Sequence, residues 1–184
     1  HAVLEFVYKP STNAEMAKFP HRFTSKLEIT FGQELHLVLS MKNTDDEAFY
    51  VDEALHSYFN VSDVREIYVH GLDGAKELDT VRDTQGIHEG PLSFTKGRVD
   101  SIFDTSNGAI IEDPGFKRRI IIEKEHSAST IVWNPAESKA ADMHHEDWKH
   151  FVCVEVGNVR RNALLLRPGQ SHWMSLTIKV EELV

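Results

Sequence analysis

Three titratable side chains stand out in the sequence because their neighbours are largely apolar. His56 lies in EALHSYFNVSDV, Asp100 lies in FTKGRVDSIFD, and Glu155 lies in the strongly apolar stretch HFVCVEVGNV. An imidazole and a carboxylate in one cleft can act on a substrate as general acid and general base. The same side chains could instead be structural groups whose hydrogen bonds are satisfied in the core. The residues alone leave both interpretations open.

The pattern around Glu155 predicts a buried carboxylate. In HFVCVEVGNV, Glu155 alternates with Cys153 and Gly157, while Val154 and Val156 point in the opposite direction. Whichever face meets the core, this carboxylate lies deep in an apolar strand. Burial disfavours the charged form of a carboxyl group and therefore raises its pKa. We expect a raised pKa for Glu155 unless a partner compensates for burial.

The elements that must position these residues are predicted to be β-strands. Apolar and polar residues alternate along most of the chain, and clusters of Gly, Asn, Asp and Pro separate the alternating stretches. FGQEL, with Gly32 at the break, predicts a hairpin. The predicted strands cover residues 4–8, 26–32, 34–43, 47–55, 65–72, 118–125, 129–135, 150–157 and 171–182. Two short stretches, 13–17 and 139–148, could be helical.

Many short strands separated by turns predict an antiparallel sandwich or barrel. No internal repeat, low-complexity tract or linker divides the sequence, so we expect one all-β domain over residues 1–184. The composition, with 41% hydrophobic and 27% charged residues, is typical of a globular protein with a hydrophobic core.

Charge and targeting signals narrow the expected partners. The formal net charge of −9 argues against a nucleic-acid binder or a protein that binds anionic membranes. No apolar run approaches the roughly 20 residues that cross a bilayer, and HAVLEFVYKP does not resemble a signal peptide. Cys153 is the single cysteine, so no intrachain disulfide can form. A cytoplasmic protein is therefore expected.

No motif assigns a metal or an organic cofactor. The sequence contains no P-loop, no GxGxxG after a strand, no CxxC, no HExxH and no GxSxG. His144, His145 and His150 lie near Asp147 and could hold a metal. A polar surface segment is the preferred interpretation of that cluster, and no metal site is predicted.

Four segments carry an unusual combination of residues. They are ALHSYFNVSDVREIYVHGLDG (54–74), VDSIF (99–103), IVWNPAESKAADMHHEDWKHFVCVEVG (131–157) and LRPGQSHWMSLTIKVEE (166–182). In residues, order and approximate spacing, they resemble the glucose-6-phosphate 1-epimerases, which are hexose-6-phosphate mutarotases of the aldose 1-epimerase superfamily. The resemblance extends from about Phe19 onward. It implies a galactose-mutarotase-like antiparallel β-sandwich, or supersandwich, that is incomplete at its N-terminus.

The resemblance also implies an activity and its residues. Such proteins interconvert the α and β anomers of a hexose 6-phosphate without a metal or an organic cofactor, and glucose 6-phosphate is the expected substrate. By motif, His56 is similar to the catalytic acid and Glu155 to the catalytic base. Asp100 is similar to the aspartate that holds the sugar hydroxyls. His56 would then face the ring oxygen of the sugar.

Departures from the family pattern keep two alternatives open, a carbohydrate-binding pseudoenzyme and an inactive truncated fragment. By the resemblance, the sequence is shorter than family members, and we expect the missing part to be the N-terminal portion that ordinarily supplies the phosphate-binding arginines. Asp100 is followed by Ser-Ile-Phe instead of Arg, an aliphatic residue and Tyr, and Ala136 stands where an aromatic residue is common. Four arginines fall outside the family motifs and are not assigned to the phosphate: Arg118, Arg119, Arg160 and Arg161.

Overall fold

The computed structural model of the chain describes residues 1–8, 19–138 and 144–183. Within these residues, sixteen β-strands and two 3₁₀ turns form, and no α-helix is present. The strands are β1 (Ala2–Tyr8), β2 (Phe23–Phe31), β3 (Leu35–Asn43), β4 (Phe49–Val51), β5 (Glu53–Leu55), β6 (Tyr58–Asn60), β7 (Tyr68–His70), β8 (Lys76–Asp79), β9 (Thr84–Ile87), β10 (Val99–Asp104), β11 (Ala109–Asp113), β12 (Arg118–Glu125), β13 (Ser129–Asn134), β14 (Phe151–Asn158), β15 (Leu164–Leu166) and β16 (Ser171–Glu182). The 3₁₀ turns are Asp147–His150 and Arg160–Asn162.

Two large sheets contain most of these strands. The first sheet has the order β1-β2-β3-β16-β12-β11-β7. The second sheet has the order β5-β14-β13-β10-β8-β9, and β6 also pairs with β14. The remaining two strands, β15 and β4, pair with each other. Every pairing between these strands is antiparallel.

The main hydrophobic core lies between the two large sheets. Ile111, Ile122 and Leu176 enter it from the first sheet, and Val132 and Val154 enter it from the second. Burying each such aliphatic side chain contributes roughly 1.5–3 kcal/mol to folding. Because side chains alternate along a strand, the residues of β14 on either side of Val154 point away from this core. They belong to the outer face of the second sheet.

The prediction of an all-β, antiparallel fold is confirmed. The predicted hairpin around Gly32 is also confirmed: it joins β2 to β3, and Phe31 pairs with Leu35 at its base. The predicted strand 47–55 is wrong as one element, because β4 pairs with β15 whereas β5 pairs with β14. The predicted strand 65–72 forms only as β7. Its first residues turn instead, because the side chain of Asp63 accepts a hydrogen bond from the backbone N–H of Arg65.

The two predicted helical stretches have different outcomes. Residues 13–17 lie outside the described residues, as does the part 139–143 of the second stretch. The described remainder of that stretch is a turn that leads into the 3₁₀ turn Asp147–His150. Over the described ranges, no helix is long and apolar enough to span a bilayer. The expectation of a single domain stays a prediction.

Candidate active site

Glu155 occupies a central strand of the second sheet. All eight residues of β14 are buried, with β13 on one side and β5 and β6 on the other. The carboxylate side chain is only 8% exposed. The predicted burial of Glu155 is therefore confirmed, and the side chain lies on the outer face, since its neighbours Val154 and Val156 both enter the core.

His56 reaches Glu155 because β5 and β6 pair with β14 in the same register, although His56 lies in the break between β5 and β6. β5 pairs with β14 through Leu55↔Val156, and β6 pairs with the same strand through Tyr58↔Cys153. Continued across the gap, that register places His56 directly opposite Glu155, on the same face. Residues in this relation have Cβ atoms about 4.5–5.5 Å apart.

Local backbone features hold His56 in place. The amide of Ser57 donates to the carbonyl of Leu55 at 3.0 Å, so His56 is the central residue of a three-residue turn between β5 and β6. Gly157 lets β5 approach closely, because a Cβ at that position would lie 2.6 Å from the carbonyl oxygen of Glu53. The glycine thus brings the segment that carries His56 against β14.

The imidazole and the carboxylate are in contact. Nε2 of His56 lies 3.3 Å from Oε1 of Glu155, and the His56 side chain is 54% exposed. The His56 ring stacks on Tyr58 with centroids 4.9 Å apart and planes 12° apart. One partner of the pair is therefore buried and the other is open to solvent.

Burial raises the pKa of Glu155 to about 7, and the negative charge of Asp100 contributes in the same direction. A carboxyl group with this pKa is divided between its acid and base forms near neutral pH. Such a group can both accept and return a proton during one reaction cycle. Burial also raises the pKa of the Cys153 thiol far above its usual range, helped by the charge of Glu155.

Asp100 lies on the same face, separated from β14 by one strand. It pairs with Trp133 across β10 and β13, and Trp133 in turn pairs with Cys153 across β13 and β14. Nη2 of Arg98 donates to the Asp100 carboxylate at 2.9 Å. The structure thus brings His56 and Glu155 into contact and places Asp100 close enough for its charge to act on Glu155.

Aromatic rings surround the His56–Glu155 pair. Tyr58, Trp133 and Phe151 form a cluster with centroid separations of 6.4, 5.4 and 5.7 Å. The edge of Trp133 also faces the His56 ring at 6.5 Å. Sequence reasoning did not select these rings, although the two-residue spacing of His56 and Tyr58 is the signal that both point to one side of the sheet.

A largely apolar cavity of about 550 Å³ lies outside the His56–Glu155 pair, and neither residue lines it. Arg98, which pairs with Asp100, is one of its lining residues, together with Trp148, Phe94, Pro135 and Ala136. The position where the sequence has alanine instead of an aromatic residue therefore borders an open volume.

Other predicted candidates do not join the site. Of the arginines left without a role, Arg118 donates to the backbone of Asn60, Arg119 pairs with Glu112, and Arg161 pairs with Asp104. The histidines of the 144–150 region contact nearby groups: His145 pairs with Glu146, and His150 contacts the carbonyl of Ser62. Among the described residues, the one close group of three potential metal ligands does not include them.

Another imidazole–carboxylate pair with a buried glutamate was missed by sequence reasoning. Nε2 of His172 lies 3.0 Å from Oε1 of Glu53, whose side chain is 1% exposed. The same oxygen accepts a hydrogen bond from Nδ2 of Asn158 at 2.9 Å. Burial raises the pKa of Glu53. This pair joins β16 of the first sheet to β5 of the second, so it connects the two layers.

Comparison with known proteins gives a consistent result. The family model for aldose 1-epimerase matches residues 1–179. A relative from Cenchrus ciliaris, provisionally named a glucose-6-phosphate 1-epimerase, is 29% identical over 178 residues, covering 92% of this chain and 54% of the relative. The chain spans about half the length of the curated relatives it matches.

Solved structures agree with the fold. A crystal structure of YeaD from Salmonella typhimurium, provisionally named a mutarotase, has a TM-score of 0.83 at 27% identity and covers 98% of this chain and 60% of that one. A galactose mutarotase-like protein from Clostridium acetobutylicum has a TM-score of 0.70 at 20% identity, with coverage of 98% and 62%. The mutarotase-like fold expected from the sequence is confirmed.

Proposed function

The chain belongs to the aldose 1-epimerase family, and from this premise we propose that it interconverts the α and β anomers of a hexose 6-phosphate, with glucose 6-phosphate as the expected substrate. The single observation that carries the proposal is the contact of 3.3 Å between the half-exposed imidazole of His56 and the buried carboxylate of Glu155. The provisional name of the Cenchrus ciliaris relative supports the 6-phosphate.

The closeness of the two groups suits the reaction. In a cyclic sugar, the ring oxygen and the anomeric hydroxyl are both bonded to C1, so an acid and a base that serve them must both reach one small region of the sugar. The separation between His56 and Glu155 meets this demand. Glu155 as carboxylate accepts the proton of the anomeric hydroxyl, and His56 as imidazolium donates a proton to the ring oxygen while the bond from that oxygen to C1 breaks.

Ring closure reverses these roles. The open-chain aldehyde rotates about its C1–C2 bond, which exposes the opposite face of the carbonyl carbon to the C5 hydroxyl. The neutral His56 imidazole takes the proton of that hydroxyl, and protonated Glu155 returns its proton to the carbonyl oxygen. Each half-reaction restores the starting state of the other, so no proton is gained or lost. A Glu155 pKa of about 7 serves both directions near neutral pH.

Asp100 and the aromatic cluster supply the expected sugar contacts. The Asp100 carboxylate accepts hydrogen bonds from sugar hydroxyls, and Arg98 holds that carboxylate in position. The rings of Tyr58 and Trp133 offer apolar faces beside the acid–base pair for the apolar face of a pyranose. Cytoplasmic location and the absence of nucleic-acid and membrane partners stay predictions from the sequence.

The test is magnetisation exchange by NMR between the α and β anomers of glucose 6-phosphate, with and without the chain. We expect acceleration by the wild type and none by Glu155→Gln, which preserves the shape of the side chain and removes the base. His145→Asn is a matched control, because this histidine also pairs with a glutamate but lies on the surface. Acceleration that survives in Glu155→Gln would refute the assignment of the base.

Binding without turnover is the alternative that the departure from the family pattern keeps open, since Ser-Ile-Phe follows Asp100 instead of Arg, an aliphatic residue and Tyr. A carbohydrate-binding pseudoenzyme would show saturable binding of glucose 6-phosphate that survives Glu155→Gln, with no anomer exchange. Calorimetric titration of both proteins establishes the binding, and anomer exchange by the wild type separates the enzymatic outcome from this one.

A further inference from the structure

We propose that His56, Cys153 and Glu155 form a binding site for a thiophilic divalent cation of the Zn²⁺ class, and that this cation blocks the acid–base pair when it binds. One ligand atom from each residue lies within 4.8 Å of the other two. A nitrogen, a sulfur and an oxygen donor together suit Zn²⁺. They do not suit Mg²⁺ or Ca²⁺, which take oxygen ligands.

The existing geometry is close to that of a zinc site. Two ligands held about 2.0–2.1 Å from Zn²⁺ at the tetrahedral angle lie roughly 3.3 Å from each other. The observed separation of His56 Nε2 and Glu155 Oε1 is 3.3 Å. Sγ of Cys153 lies within 4.8 Å of the other two ligand atoms. The two edges that involve sulfur are about 3.6 Å long in a tetrahedral zinc site, so each must shorten by no more than about 1.2 Å.

The strands hold these three side chains close together. Cys153 and Glu155 are two residues apart on β14, so both project from one face of a buried central strand. His56 is brought opposite them by the register that β5 and β6 share with β14. The half-exposed side of His56 leaves room for water as a fourth ligand, as in zinc sites with three protein ligands.

Charge favours the occupied state. Binding releases the protons of the buried Cys153 thiol and of the Glu155 carboxyl to solvent. The resulting thiolate and carboxylate carry two negative charges, which Zn²⁺ neutralises, while a neutral imidazole adds none. A neutral complex avoids most of the desolvation penalty that a buried single charge would suffer. The cation would also occupy Oε1 of Glu155 and Nε2 of His56, the two atoms that face each other in the proposed epimerase mechanism. Cation binding itself does not depend on that activity.

Cobalt titration of the full chain tests the site directly. Co²⁺ bound by a thiolate gives a sulfur-to-metal charge-transfer band, and Cys153 is the single cysteine of the chain, so any such band comes from this position. We expect the band to saturate at one Co²⁺ per chain and to disappear on addition of Zn²⁺. We expect Cys153→Ser to abolish the band and to weaken Zn²⁺ binding by at least about 100-fold.

Two further variants keep the test decisive. If Cys153→Ser fails to fold, as circular dichroism would reveal, Glu155→Gln and His56→Asn should each retain the thiolate band but need higher Co²⁺ concentrations. His145→Asn should bind like the wild type, which excludes the surface histidines. Absence of a thiolate band at saturating Co²⁺, or equal Zn²⁺ affinity in wild type and Cys153→Ser, would overturn the proposal. Because the readout is spectroscopic, its failure is distinct from a failure of anomer exchange in metal-free protein.

Discussion

Two imidazole–carboxylate pairs with buried glutamates occupy opposite faces of the second sheet. Their separations are similar, 3.3 Å for His56–Glu155 and 3.0 Å for His172–Glu53, and burial raises the pKa of both glutamates. They differ in what surrounds them. The His56 side chain is 54% exposed, whereas that of His172 is 21% exposed.

The alternation of side chains between the two faces of a strand explains the difference in exposure. Glu155 projects from the outer face of β14, where the sheet is open to a ligand. Glu53 pairs with Asn158 in the register of β5 and β14 and lies toward the first sheet, where Asn158 donates to it. The same two residue types therefore form the proposed acid–base pair where one partner reaches solvent, and a connection between the two sheets where both are largely enclosed.

Replacing His56 should produce the largest effect on activity. His56→Asn removes the acid while leaving the neighbouring strands unchanged, so we expect anomer exchange to fall by about 10²–10⁴-fold with the substrate Kd nearly constant. Unfolding free energy should change by less than about 0.5 kcal/mol, because the ring is half exposed. NMR exchange and urea unfolding measure the two quantities. A large loss of stability with normal exchange would mean that the pair is structural.

Replacing His172 should give the opposite result. His172→Asn removes the imidazole that lies 3.0 Å from the buried carboxyl of Glu53, and leaving that group short of a partner costs about 1–3 kcal/mol of stability. Exchange per folded molecule should stay at the wild-type level, because His172 faces the other sheet. The control is the exposed His145→Asn, for which neither quantity should change. Loss of exchange without loss of stability in His172→Asn would break the distinction between the pairs.

The sequence predicts the environment of Glu155 better than its contacts. A glutamate in a strand whose other residues are almost all apolar is predicted to be buried and therefore to have a raised pKa. Its contact with His56 depends on the register between β14 and the β5–β6 segment, which no local pattern encodes. The resemblance to a known family supplied that pairing, and the residues alone left it open.

Other features were missed for related reasons. The strands KELD (β8) and TQGI (β9) are short and polar, and they form by pairing with each other and, for β8, with β10. The pair of Glu53 and His172 joins strands that are distant in the chain and belong to different sheets. Its formation depends on how the sheets pack, whereas periodicity describes only one strand at a time.

The raised pKa of Glu155 makes a prediction for stability against pH. The folded carboxyl has a pKa of about 7, above its ordinary value of 4.5, so the folded state binds more protons than the unfolded state between these values. Stability contributed by this group is present at low pH and is lost as the pH rises through about 7, by up to roughly 1.4 kcal/mol per pH unit.

Glu155→Gln should remove the pH-dependent loss of stability that the Glu155 carboxyl causes. Urea unfolding at pH 5 and at pH 7.5 should show that the variant gains stability relative to the wild type as the pH rises. Glu53 is present in both proteins, so its own titration cancels from the difference. A difference between the two proteins that is constant across this range would show that Glu155 has an ordinary pKa.

The smallest expected effect concerns the charge of Asp100, which adds to the pKa of Glu155. Arg98 partly neutralises that charge through a contact of 2.9 Å but is itself about half exposed, so solvent screens it. The exchange rate should rise with pH as Glu155 loses its proton. Arg98→Gln should therefore raise the pH at the midpoint of this rise by about 0.2–0.5 pH unit. Arg161→Gln is the matched control, because it breaks a similar contact with Asp104 at the other end of β10. An unchanged or lowered midpoint in Arg98→Gln would mean that Asp100 does not act on Glu155 through its charge.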